Sequence, residues 1–153
     1  MKIFSEIMSS LPTLVIAHGG WHDPTCFSKV REQLESVGYK VHIPGQPSIG
    51  ELARVKTSHD TGAAIGAVIE ECADRGEDII SIGHSSGGLY CCDGCRGLIK
   101  AQRQSEGKPG GVIAIGMIAA FIPPAFGKGA FAKITGFNTS WWDVDVSDSL
   151  TCQ

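Results

Sequence analysis

The sequence predicts an α/β fold, a parallel sheet of about four strands with helices on both faces, stacked as a three-layer sandwich. Three observations predict it. Short β-branched apolar runs recur along the chain and end at glycine- or proline-bearing loops, as buried parallel strands do. Segments with apolar residues at spacings of three and four lie between these runs. The resulting βαβαβαβ alternation calls for right-handed crossovers and hence a parallel sheet. With 153 residues, 42% hydrophobic and 19% charged, the chain suits one such domain with a real core.

Leu14-Val-Ile-Ala17 is the first strand, and it stops at His18-Gly-Gly20. Pro24 sits near a helix start, and Phe27, Val30, Leu34 and Val37 form a stripe that closes at Gly38. Lys40-Val-His-Ile43 is the second strand, followed by a loop of turn-forming residues from Pro44 to Gly50. A helix is expected from about Asp60 to Asp74, with Ile65, Val68, Ile69 and Cys72 inward and Gly76 as its stop. Asp78-Ile-Ile-Ser-Ile-Gly83 is the third strand, and a helical stretch from about Ser86 to Gln104 follows it. After a loop from Ser105 to Gly111, Val112 to Phe121 reads as a fourth strand, apolar throughout and so covered on both faces. Beyond Pro124 no period is sustained, and residues 125–153 are expected to be irregular.

Composition narrows the class of partner. A net charge of -3 and a pI near 5.9 give no basic field for nucleic acid or anionic membranes. Residues 1–10 lack the apolar core of a secretory signal, and 1–7 read as an extension before the first strand, so a cytoplasmic location is expected. The longest apolar run, Gly111 to Phe121, is too short to span a bilayer. The six cysteines are irregularly spaced and read as reduced thiols. Cys92 and Cys95 form a C-x-x-C, but with no second pair to complete four zinc ligands no metal site is expected, and no cofactor.

The chemistry sits in two loops. Gly83-His-Ser-Ser-Gly87 fits G-x-S-x-G between a strand and a helix, a bend that strains the backbone of Ser85 and leaves no room for side chains two residues to either side. Such a bend exposes the Ser85 hydroxyl at the carboxyl edge of the sheet as a catalytic nucleophile. Attack on a carbonyl creates an oxyanion that needs two backbone donors, for which the N–H groups of Gly20 and Ser86 are the candidates. His18, Gly19, Trp21 and His84 are the candidate pocket residues around them. If the first helix covers one face and the next two the other, the strand order is two, one, three, four. The loops at Gly20 and Ser85 then meet where the winding reverses, which is where open α/β sheets bind ligands.

On these residues the chain resembles the amino-terminal part of the α/β-hydrolase superfamily, and most of all the single-domain hydrolases related to plant methyl-ester esterases and hydroxynitrile lyases. The motifs are His18-Gly-Gly-Trp-His22, Gly38-Tyr-Lys-Val-His42, Pro47-Ser-Ile-Gly50, Gly83-His-Ser-Ser-Gly-Gly88, Gly107-Lys-Pro-Gly-Gly-Val112 and Ala119-Ala-Phe-Ile-Pro-Pro124. The resemblance runs from about Leu11 to Trp142 and implies a serine hydrolase of esters or similar acyl compounds. Residues 11–124 would then be the amino-terminal part of the hydrolase domain, and 125–153 the start of a lid.

The chain departs from that pattern in one respect. The family's triad runs serine, acid, histidine, but His18, His22, His42, His59 and His84 all precede Ser85. Asp143, Asp145 and Asp148 follow it in the irregular segment and read as a solvated acidic loop. The expectation is a truncated hydrolase, weakly active or inactive for want of a base. The uncovered sheet edge beyond the fourth strand would favour self-association. Two other readings compete: a non-catalytic module binding a small ligand in the same crevice, and a flavodoxin-like nucleotide binder using Gly83 to Gly88. The latter lacks both G-x-G-x-x-G and G-K-[ST].

Overall fold

A computed structural model of the protein describes residues 11–49 and 56–122. The expected extension at 1–10 and the irregular segment at 125–153, with Asp143, Asp145 and Asp148, lie outside the described residues. Four parallel strands, β1 (Thr13–Ala17), β2 (Val41–His42), β3 (Asp78–His84) and β4 (Gly111–Ile118), form one sheet in the order β2-β1-β3-β4. This is the order that right-handed crossovers predict. Ala17 pairs in register with Gly83, so β1 and β3 end level and the loops leaving them emerge side by side.

Helix α1 (Ser28–Ser36) follows a 3-10 turn at Pro24–Phe27, which starts where the Asp23 carboxylate accepts the Thr25 N–H at 2.7 Å. Helix α2 (Ser58–Asp74) begins two residues earlier than its apolar stripe suggests, because Thr57 and Asp60 form a reciprocal cap. Helices α3 (Gly87–Gly94) and α4 (Lys100–Ser105) replace the single helix expected from Ser86 to Gln104. The break has a backbone cause. Gly97 adopts φ 75°, and Ile99 is extended and bridges Val112 beside β4.

The two faces of the sheet are unequally covered. Beneath α2 and α3, Val15, Ala17, Ile65, Ile69, Ile79 and Cys91 are fully buried. Each large aliphatic side chain there stabilises the fold by about 1.5–3 kcal/mol. On the other face Leu14, Ile16 and Val41 pack with Phe27, Leu34, Ile80 and Ile82. No residue of α1 is itself buried, and Val30 and Val37 of the expected stripe are exposed. The helix lies beside a β2 of only two residues, so just one edge of it meets apolar surface. Strand β4 is also shorter than predicted, and it is not covered on both faces. Ala119 turns the chain with φ 43° after Ile118, and Ile113, Ile115 and Ile118 are 48%, 39% and 52% exposed.

Candidate active site

The serine stands at the abrupt bend its motif requires. Strand β3 ends at His84, α3 begins at Gly87, and Ser85 between them has φ 54°, a left-handed conformation that costs a non-glycine residue about 1–2 kcal/mol. The bend survives because backbone closes in around it. A methyl group on Gly83 would lie 2.6 Å from the Gly88 Cα, and one on Gly87 would collide with the Ala17 carbonyl and lie 2.7 Å from that of His18. The segment after β4 fixes the other side: Ser85 N–H donates to the Ile118 carbonyl at 3.2 Å, and Phe121 N–H donates to the Ser85 carbonyl at 3.0 Å.

The β1 loop lies against this bend. A methyl group on Gly19 would stand 3.0 Å from Ser85 Cβ and 3.5 Å from its Oγ, and one on Gly20 would stand 3.4 Å from Ser86 Oγ. Gly19, Gly20, Ser85 and Ser86 are therefore brought together. Among the described residues no hydrogen bond engages the N–H of Gly20 or of Ser86.

Side chains hold the three successive carbonyls of this loop. Gln46 Nε2 donates to the His18 carbonyl at 2.6 Å, His18 Nδ1 meets the Gly19 carbonyl at 3.0 Å, and His22 Nδ1 meets the Gly20 carbonyl at 2.7 Å. Since a carbonyl only accepts, Nδ1 of each ring carries a proton. Burial pushes the His18 imidazole below the usual histidine range, against the opposing pull of the Gly19 carbonyl and Asp23, so the ring is neutral near pH 7. Among the described residues its Nε2 is buried without a hydrogen-bond partner, as are Gln46 Oε1 and Ser86 Oγ.

The remaining candidates surround this centre. The His84 ring packs edge-on against Phe27 with centroids 5.8 Å apart, and its Nδ1 would lie 3.2 Å from a Gly19 methyl. Trp21, in the same loop, is 77% exposed and has φ 59°. None of the five histidines hydrogen-bonds Ser85. His18 and His22 hold backbone carbonyls, His42 lies in β2, His59 pairs with Asp93 at 2.9 Å, and His84 faces Phe27. Sequence reasoning missed Gln46, whose only signal was a polar residue in a loop after a strand.

Two features elsewhere are structural. A groove of about 530 Å³ between α2 and α3 is lined by His59, Gly62, Gly66, Asp93 and Arg96, but not by Ser85. It arises where the helices approach through Gly62, Gly66 and Gly94. Cys91 and Cys95 are buried together in the core, and the Cys91 thiol lies 3.0 Å from Ser81 Oγ. Among the described residues no three metal-binding side chains cluster, all five cysteines are free, and no helix is long and apolar enough to cross a membrane.

Comparison with known proteins agrees with this fold. Residues 14–148 match the model of the alpha/beta hydrolase family. The carbendazim hydrolyzing esterase of Nocardioides sp. (strain SG-4G) is 27% identical over 81 residues, 52% of this chain and 34% of that one. An alpha/beta hydrolase of Aspergillus novofumigatus (strain IBT 16806) is 24% identical over 87 residues, 57% of this chain and 35% of that one. The chain thus aligns with about a third of the length of these curated relatives. Among solved structures, tomato methylketone synthase I aligns over 93% of this chain and 54% of its own, with a TM-score of 0.65 at 15% identity. An extracellular alpha/beta-hydrolase from a Paenibacillus species covers 74% of this chain and 42% of its own, with a TM-score of 0.55 at 21% identity.

Proposed function

Because the chain belongs to the α/β-hydrolase family, we propose that it carries the nucleophile and oxyanion half of a serine hydrolase site for small ester or similar acyl compounds. The observation that carries this reading is the left-handed Ser85 at a strand-to-helix bend, closely apposed to Gly19 and Gly20. Ser85 Oγ would attack the carbonyl carbon while its proton passes to a base. The carbonyl oxygen, turned oxyanion, would accept from Gly20 and Ser86 N–H. Collapse would expel the alcohol and leave an acyl-serine for water to cleave.

The reading assigns no base within this chain, since none of the five histidines hydrogen-bonds Ser85. A hydroxyl without its base stays protonated, and disabling a triad member costs about 10⁴-fold in rate. Residues 1–153 alone are therefore weakly active or inactive. The same observation favours the second reading, a non-catalytic binder of small ligands in the same crevice, whereas nothing in the family match favours a nucleotide binder. Self-association through the exposed β4 isoleucines and a cytoplasmic location belong to the proposal.

A fluorophosphonate probe tests it. Slow labelling of Ser85, abolished by Ser85→Ala and accompanied by weak cleavage of a short p-nitrophenyl ester, is the expected result. Binding of a small ester that is unchanged in Ser85→Ala, with no labelling at all, would replace the hydrolase reading by the binder.

A further inference from the structure

We propose that Gln46 is a positioning residue that locks the Gly19-Gly20 backbone through the His18 carbonyl and so aims the Gly20 N–H at the developing oxyanion, an inference that rests on the hydrolase reading of Ser85. Gln46 is only 6% exposed, and its amide nitrogen reaches the His18 carbonyl at 2.6 Å. The acceptor is a carbonyl, so the amide nitrogen and not the oxygen must face it.

The clamp stands on a rigid support. Ile49 N–H closes a turn onto the Gln46 carbonyl at 3.0 Å, and Ser48 bonds Thr61 of α2 through both its N–H and its hydroxyl, at 3.2 and 2.7 Å. Across the loop, the His18 carbonyl also abuts Gly87 in the first turn of α3. The His18-Gly19 peptide is thereby held between the Gln46 amide and the helix that follows Ser85.

A trans peptide is planar, with its carbonyl and N–H pointing in opposite directions. Holding the His18 carbonyl sets the plane that carries the Gly19 N–H, and the His18 ring on the Gly19 carbonyl sets the plane that carries the Gly20 N–H. Two glycines without Cβ atoms fix these planes little by their own conformational preference. Without Gln46 the first plane is released, and the second follows because the His18 ring that holds it belongs to the same residue.

The experiment compares the full chain with Q46E and Q46L by ¹⁵N relaxation of the Gly19 and Gly20 amides and by fluorophosphonate labelling of Ser85. The carboxyl of Q46E donates to the His18 carbonyl only when protonated, and its buried position raises its affinity for a proton. Near pH 7.5 the order parameters in Q46E are expected to fall from about 0.85 to below about 0.6, and to recover near pH 5. In Q46L they stay low at both. Labelling of Ser85 in Q46E is expected to slow about tenfold near pH 7.5, a fraction of the roughly hundredfold or more lost when an oxyanion donor is removed outright, and to approach that of the unsubstituted chain at acid pH. Unchanged order parameters in both variants would overturn the clamp. Loosened amides with unchanged labelling would overturn its part in the reaction. If the unsubstituted chain labels at no pH, the Ser85 reading fails, while the amide measurements still decide the clamp.

Discussion

Gly19 and Ser85 are in contact across the sheet's carboxyl edge, close enough that a single methyl group on Gly19 would press to 3.0 Å from Ser85 Cβ. Sixty-six residues separate the two in sequence, and they meet because β1 and β3 are neighbours with Ala17 opposite Gly83. Gly19 has no positive φ that an alanine would strain, so its substitution tests proximity alone.

Gly19→Ala should leave the fold intact and slow fluorophosphonate labelling of Ser85 by about a hundredfold, since a displaced nucleophile or donor costs a few kcal/mol in the transition state. Labelling kinetics beside a thermal melt checks this. Unimpaired labelling would place the reactive hydroxyl somewhere other than against this loop.

The left-handed Ser85 stores strain that glycine would release. Ser85→Gly keeps both backbone hydrogen bonds, to Ile118 and from Phe121. It should be about 0.5–1 kcal/mol more stable than Ser85→Ala after the extra freedom of glycine in the unfolded chain is counted. Urea denaturation of the two variants measures the difference, and an alanine variant equal or superior in stability would mean the bend is unstrained.

Glu77 governs acid stability from the opposite end of the sheet. Burial alone would raise its carboxyl, but hydrogen bonds from Thr13, Lys40 and Arg75 more than offset that and hold it at about 2. A carboxyl lowered from 4.5 stabilises the folded state fully above that value, and the contribution disappears as pH falls from 4.5 towards about 2. Glu77→Gln should therefore cost about 2–3 kcal/mol at pH 7 and nothing near pH 2. Denaturant midpoints across this range would show the two curves converging, and parallel curves would refute the linkage.

Arg103 and Asp74 form an unequal ion pair at 2.6 Å, in which the arginine side chain is 1% exposed and the aspartate 63%. Removing the aspartate strands a buried cation whose other acceptor is the Pro109 carbonyl, whereas removing the arginine returns an exposed carboxylate to water. Asp74→Ala is accordingly expected to cost about 3 kcal/mol and Arg103→Met about 1. Equal losses in urea titrations would mean that the buried charge is already solvated.

Local chemistry made much of this fold legible. β-branched runs marked all four strands, and the handedness of crossovers was enough to order them as β2-β1-β3-β4. The Gly83-to-Gly88 motif located the bend because its glycines answer a steric demand local to that turn. Where the reading fell short, the deciding contact lay elsewhere in the fold. The helix after Ser86 breaks because Ile99 pairs with Val112, and β4 reads as buried from composition although its burial depends on what packs against it.

The sequence by itself determined the strand-to-helix bend at Ser85 and the glycine loop after β1, since each is a property of adjacent residues. Only the tertiary structure decided that Gln46 holds the His18 carbonyl, that His18 and His22 are occupied with backbone, and that the Cys91 thiol meets Ser81. The physical reason is range. Backbone strain and periodicity act within a few residues, whereas a side-chain hydrogen bond depends on which distant segment the sheet brings within about 3 Å.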